Sequence, residues 1–256
     1  MGLASGTDLA QDAAHMKSSF IALTLFASLG LSACKSELDN KPKAEVKEAK
    51  KDAKPDAKPD AKPDAKGDAK GDAKGDAKGE DPDAKALAHA STIAKLDKAA
   101  SKVRFVGAKV TDDHEGTFAD FDGALTLADD GKPSKLELTV KVGSLQTEPP
   151  DLHKHLLSAD FFDAEKFPES TFVSSSIKEA AGEAGSTHEI TGDLTLHGKT
   201  NTITFPAKVE ITDASATGNA EFKIDRKLWG IEYPGMKDDL IKDEVLLSLQ
   251  LSFPRK

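Results

Sequence analysis

The chain has 256 residues, 38% hydrophobic and 31% charged; that is too lean in apolar content for all of it to belong to a core. The formal charge of −9 is uneven: residues 35–87 balance 14 lysines against 14 carboxylates, whereas residues 88–256 carry 20 cations against 28 anions. An acidic body excludes the clustered basic surface that nucleic acid needs, and one cysteine excludes both an intrachain disulfide and a multi-cysteine zinc site.

The first element is a leader. Met16-Lys17 precedes an apolar run from Phe20 to Leu31, which is too short to span a bilayer and is followed by Leu31-Ser32-Ala33-Cys34. Asp8 and Asp12 are acidic where such a leader is basic, so residues 1–33 read as a signal peptide whose true start is Met16. Leu-Ser-Ala-Cys resembles the bacterial lipobox, which makes Cys34 the expected lipidation site and an N-terminal acyl anchor the expected link to the membrane. Lys35 after the cysteine favours the outer membrane, so the expected location is the cell envelope, lipid-anchored and facing the periplasm.

Residues 34–90 then read as the acylated cysteine and a disordered tether. From Asp52 to Gly79 a four-residue unit repeats seven times, three Asp-Ala-Lys-Pro followed by four Asp-Ala-Lys-Gly. A helix there would stack like charges four residues apart, and nothing larger than alanine could build a core. Flexible coil of about 55 residues reaches roughly 40 Å.

Residues 91–256 read as strands. Leu136, Leu138, Val140 and Val142 alternate with polar neighbours, and Val245, Leu247, Leu249, Leu251 and Phe253 alternate with Leu246, Ser248, Gln250 and Ser252 on the expected wet face. Further runs occupy 102–110, 115–128, 170–179, 187–197, 199–209 and 215–225. Turns are expected at Asp129-Asp130-Gly131, His197-Gly198 and Ala216-Thr217-Gly218. Period-two alternation gives one dry and one wet face, and eight such strands predict an all-β fold, an eight-stranded antiparallel barrel. Leu152, His155, Leu156 and Ala159 recur at helical spacing after Pro149-Pro150, which predicts one short helix beside a barrel end. An eight-stranded barrel is either filled by side chains or holds one small ligand. The inward runs contain no lysine, arginine or aspartate, so any ligand inside is apolar.

Two segments then resemble hallmarks of the YceI family. One is His155-Leu156-Leu157-Ser158-Ala159-Asp160-Phe161-Phe162-Asp163 followed by Phe167-Pro168-Glu169; the other is Ile190-Thr191-Gly192-Asp193-Leu194-Thr195-Leu196-His197-Gly198-Lys199. Ile224-Asp225-Arg226, Trp229-Gly230-Ile231 and Lys242-Asp243-Glu244-Val245 resemble its closing strands. The resemblance, over residues 92–254, implies a lipocalin-like barrel enclosing a polyisoprenoid chain or a quinone, with no required cofactor and no catalysis. Phe105, Phe121, Leu136, Leu138, Val140 and Leu194 are the expected tunnel lining on one part of the wall. Phe205, Phe222, Trp229, Leu247 and Leu249 are expected to complete it. His155, Asp160, Phe161, Phe162, Pro168, Gly192, Asp193 and Gly198 are expected to be structural.

Other candidates are weaker. His153 and His155 point to different sides of a helix and gather no ligand set, so no metal is expected. Asp120-Phe121-Asp122-Gly123 lacks the rest of a calcium loop and reads as a strand with a bulge. The alternatives to a lipid carrier are a quinone-dependent redox partner or enzyme of the envelope, and a filled-barrel interaction or stress protein. Oligomeric state is not legible.

Overall fold

The computed structural model describes residues 36–49 and 92–255, all within one compact unit. Cys34, the leader and the Asp52–Gly79 repeat lie outside the described residues. The strands in chain order are β1 (Glu45–Glu48), β2 (Thr92–Lys95), β3 (Lys102–Lys109), β4 (Asp113–Phe118), β5 (Phe121–Leu127), β6 (Pro133–Lys141) and β7 (Leu145–Thr147). They continue with β8 (Glu169–Glu179), β9 (His188–Leu196), β10 (Lys199–Ile211), β11 (Ser215–Asp225), β12 (Gly235–Met236) and β13 (Asp239–Pro254). One helix, α1 (Pro150–Leu157), lies between β7 and β8.

The strands form a single curled sheet in the order β2-β5-β6-β8-β9-β10-β11-β13-β3-β4-β7, with every ladder antiparallel. This is the expected barrel-like, all-β architecture with one helix. The inward alternation holds: Leu136, Leu138 and Val140 in β6 and Leu251 and Phe253 in β13 are buried. The expected strand over 115–128 is two strands, because the chain turns a corner at Ala119-Asp120 and changes neighbour from β3 to β6. Asp120 and Asp122 both face Lys98, at 2.9 and 3.3 Å, and the only break in the β5–β6 register falls at Thr126/Leu127, not at the Asp-Phe-Asp-Gly segment.

His197 (φ 50) and Gly198 (φ 71) make the tight hairpin between β9 and β10, where paired positive φ values match the strand twist. A Cβ on Gly198 would stand 2.3 Å from the Phe167 ring. Ala216-Thr217-Gly218 is not a turn but part of β11; the turn falls at 212–214, where Thr212 Oγ1 accepts from the Ser215 amide at 3.1 Å.

The largest departure from the sequence expectation is the segment 36–49. Read as tether, it is instead an arm docked on the barrel. β10 pairs with β11 only over Lys208–Ile211, and its earlier half is open on that side. β1 fills the opening, pairing Glu45 to Thr204 through Glu48 to Asn201, while the Ala44 amide and the Pro42 carbonyl bond to Lys223 of β11 at 2.9 and 2.8 Å. Ala44 is buried in the main core and Val46 packs against it, so the arm obeys the alternation of the wall it completes.

Nearer its start, Leu38 (2% exposed) covers the outward side chains Val106, Ala108 and Leu246. Leu246 was expected on the wet face of β13; Leu38 is why it is dry. Charge pairs border this contact: both terminal nitrogens of Arg104 donate to the Glu37 carboxylate, at 2.7 and 2.6 Å, and Lys41 pairs with Glu221.

Candidate functional site

The inward faces do not meet in the middle. They enclose a cavity of about 370 Å³, within the usual range for ligand pockets. Its wall is contributed by alternate residues of β3, β6, β8, β9, β10, β11 and β13, and is almost wholly apolar. Of the residues expected to line a tunnel, Phe105, Leu138, Val140, Leu194, Phe205, Phe222, Leu247 and Leu249 border this cavity. Phe205 and Phe222 stack at 4.1 Å between centroids and form one side of it.

Three expected lining residues lie elsewhere. Phe121 and Leu136 are buried in the core beside the cavity, where β5 and β6 pack on their neighbours. Trp229 is wholly buried and its indole N–H donates to the Leu194 carbonyl at 3.0 Å, so it is a core anchor and not part of the lining. A lone tryptophan near a strand end reads equally well either way in sequence; the acceptor carbonyl decides it.

The helix closes part of one end. Pro150 starts α1, Asp151 sits in its first turn, and Lys154 and His155 sit in its last, which suits the helix dipole. Leu156 and Phe161 are buried against Phe105, Leu145 and Ile231. Here the hallmark residues act as fasteners. His155 Nε2–H donates to the Asp160 carboxylate at 3.0 Å, and the imidazole sits edge-on to Phe161 and Tyr233. Phe162 packs edge-on against Phe105 and Phe118, and all three border the cavity.

The remaining hallmark residues hold the wall. The Pro168 carbonyl accepts from the Val142 amide at 2.9 Å, and Asp193 accepts from the Thr202 hydroxyl at 2.6 Å. A Cβ on Gly192 would be 2.5 Å from both the Phe172 ring and the Val173 carbonyl, so β8 and β9 approach there as only glycine allows. Among the described residues no group of three or more histidines, cysteines or carboxylates could hold a metal ion.

The sequence expectation of a wall without cations is corrected by Arg226. It follows β11, is only 3% exposed, and borders the cavity. Its Nη1 donates to the Ile231 carbonyl at 2.7 Å and its Nε to the Lys242 carbonyl at 3.2 Å. Nη2 makes no hydrogen bond and lies 3.5 Å from an Asp243 carboxylate oxygen. Burial pushes the Arg226 pKa below its ordinary value, against the pull of Asp243 and Asp225. Period-two counting missed this group because Arg226 stands one residue beyond the strand, where the chain turns inward.

The mouth lies at the end where Tyr233, Met236, Lys109, His114 and Asp239 border the cavity. There Lys109 pairs with Asp239 at 2.8 Å, and Asp239 also accepts from the Thr111 hydroxyl at 3.0 Å.

Comparison with known proteins agrees with the architecture. Residues 95–253 match the YceI-like domain. A UPF0312 protein of Pseudomonas putida strain W619 is 41% identical over 128 residues, 47% of this chain and 65% of that protein. Protein YceI of Salmonella arizonae is 43% identical over 96 residues, 37% of this chain and 48% of that protein. The chain thus spans 48–65% of these relatives' lengths. Among solved structures, Burkholderia cenocepacia BcnA is similar with a TM-score of 0.53 and 28% identity, covering 61% of this chain and 98% of its own. A polyisoprenoid binding domain from Saccharophagus degradans shares the fold at a TM-score of 0.51 and 17% identity, covering 66% of this chain and 99% of its own. The arm at 36–49 lies outside the matched domain.

Proposed function

The chain belongs to the YceI-like family, and from that premise we propose that it binds an apolar isoprenoid lipid, a polyprenyl chain or a quinone, for carriage or sequestration. The observation that carries this reading is the cavity itself, about 370 Å³ enclosed by aliphatic and phenylalanine side chains. The polyisoprenoid binding domain with the same fold supports it. In this reading the protein assigns no catalytic step to its side chains; it works by removing apolar surface from water. Each five-carbon unit contributes on the order of 4 kcal/mol gross at about 0.8 kcal/mol per carbon. Association costs about 4–15 kcal/mol, so one or two units bind negligibly and longer chains bind well until the cavity is full.

The lipobox reading of Cys34 completes the proposal: an acylated protein of the bacterial cell envelope, held at the membrane and facing the periplasm. Mass spectrometry of a solvent extract of the purified protein tests the ligand, followed by titration with isoprenoids of graded length. A co-purifying polyprenyl lipid and affinity that rises with length, then levels, are expected. An empty extract with no affinity at any length would sink the proposal.

A further inference from the structure

The cavity mouth carries an apolar rim that the protein's own packing leaves uncovered. Val110, between β3 and β4, is 72% exposed; Met236 and Leu240, in the β12–β13 hairpin, are 67% and 51% exposed. They form one projection: the Val110 amide donates to the Leu240 carbonyl at 3.2 Å, and Leu240 stands opposite Gly235, next to Met236. The Lys109–Asp239 pair ties the two turns together, and Met236 itself borders the cavity. Large apolar side chains held at least half exposed around an opening mark a contact surface.

A second, independent observation places the start of the arm at the same end. The Ser36 hydroxyl donates to the Asp113 carboxylate at 2.9 Å and the Glu37 amide to the same oxygen at 2.9 Å. Asp113 opens β4 immediately after the Val110 turn, beside His114, which borders the cavity. The chain therefore leaves the barrel at its mouth. Cys34 is two residues before Ser36, and two residues of chain reach at most about 7 Å. Residues 50–91 connect β1 to β2, two strands of one wall, so they are not a spacer between Cys34 and the barrel.

We propose that Val110, Met236 and Leu240 seat on a lipid bilayer, so that the mouth faces the membrane and an apolar ligand passes between bilayer and cavity without crossing water. The inference rests on the isoprenoid-binding reading and on Cys34 as the anchor. The anchor supplies local concentration and the rim supplies orientation, two signals that are each weak alone. Asp112 and Asp238 flank the patch against Lys237, while Lys109 and Asp239 neutralise one another, so the fitting surface is zwitterionic and not anionic.

The test couples the full chain through its Cys34 thiol to a maleimide lipid in phosphatidylcholine vesicles with brominated acyl chains, which quench a nearby indole. Met236→Trp reports on the rim and Asp130→Trp, in the β5–β6 turn at the opposite end, is the control; Trp229 is buried in both. Quenching severalfold stronger for Met236→Trp is expected, falling to the control level when Val110→Ser and Leu240→Ser are added. These are exposed positions, and unchanged thermal melts confirm that each variant folds. Equal quenching at the two positions overturns the proposal. So does shielding of the rim indole that grows with protein density, which assigns the rim to a second copy. No isoprenoid enters this assay, so a failed ligand reading shows separately in the lipid extract.

Discussion

Replacing Leu38 with alanine removes the side chain that closes the outward patch of Val106, Ala108 and Leu246, all 2% exposed or less. Truncating a buried leucine costs about 2–5 kcal/mol, and a site at the wall's outer surface, able to settle, lies at the low end, about 2–3 kcal/mol. The charged ties at the start of the arm are weaker, while β1 holds its far end through the ladder to β10. Glu37 is 40% exposed where it meets Arg104, and such surface pairs contribute about 0–1 kcal/mol. Leu38 is therefore a large share of what holds the start of the arm. Because the arm can leave without unfolding the barrel, the loss of global stability saturates at the docking free energy. The sensitive assay is native-state trypsin cleavage after Lys43 and Lys47, which follows the population of the undocked arm. A loss of 2–3 kcal/mol raises that cleavage roughly 30- to 160-fold. Unchanged cleavage after Lys43, with an unchanged urea midpoint, would refute the docking argument.

The arm should also loosen in acid. Hydrogen bonds from Arg104 hold Glu37 below the usual carboxylate range, and Lys223 and Lys43 do the same for Glu244. Carboxylates depressed in this way stabilise fully above their unfolded value near 4.3 and lose that contribution as pH falls through the folded value. Amide exchange of Val46 and Lys47, corrected for intrinsic rate, should accelerate below about pH 4.3 before that of β6; uniform behaviour would contradict it. Gly198→Ala should cost about 1–3 kcal/mol in thermal unfolding, from the positive φ and the 2.3 Å approach to Phe167. Gly218→Ala, with nothing within 4 Å, should change little. Arg226→Met should cost about 1–3 kcal/mol in thermal unfolding, because it strips the Ile231 and Lys242 carbonyls of their donors; an unchanged melt would contradict the anchoring role. Cys34→Ser should shift the protein from the membrane to the soluble fraction of cells; an unchanged membrane fraction would remove the acyl anchor from the proposal.

Much of the wall was legible in the chain alone. Alternation over Leu136–Val142 and Leu247–Phe253 is a local property, set by side chains pointing to opposite faces of an extended backbone, and those strands lie where the alternation put them. His197-Gly198 announced a hairpin for an equally local reason, the φ values its turn requires. The arm was not legible. Its Ala44-Glu45-Val46-Lys47 alternation spans four residues inside a lysine- and acid-rich stretch, and the features that recruit it, an open side of β10 and an apolar patch facing outward, arise from residues more than 60 positions away.

What the sequence by itself determined is the class of fold and the apolar character of its inside, because period and composition decide which faces shun water. Whether that inside is filled or hollow was decided only by tertiary structure. The same alternating leucines and phenylalanines serve both cases, and the outcome depends on how far apart the curl of the sheet holds opposite walls. Tertiary structure also decided that Trp229 anchors the core and that Arg226 turns inward, since a carbonyl within reach of an indole and a chain bend beyond a strand end are relations between distant segments.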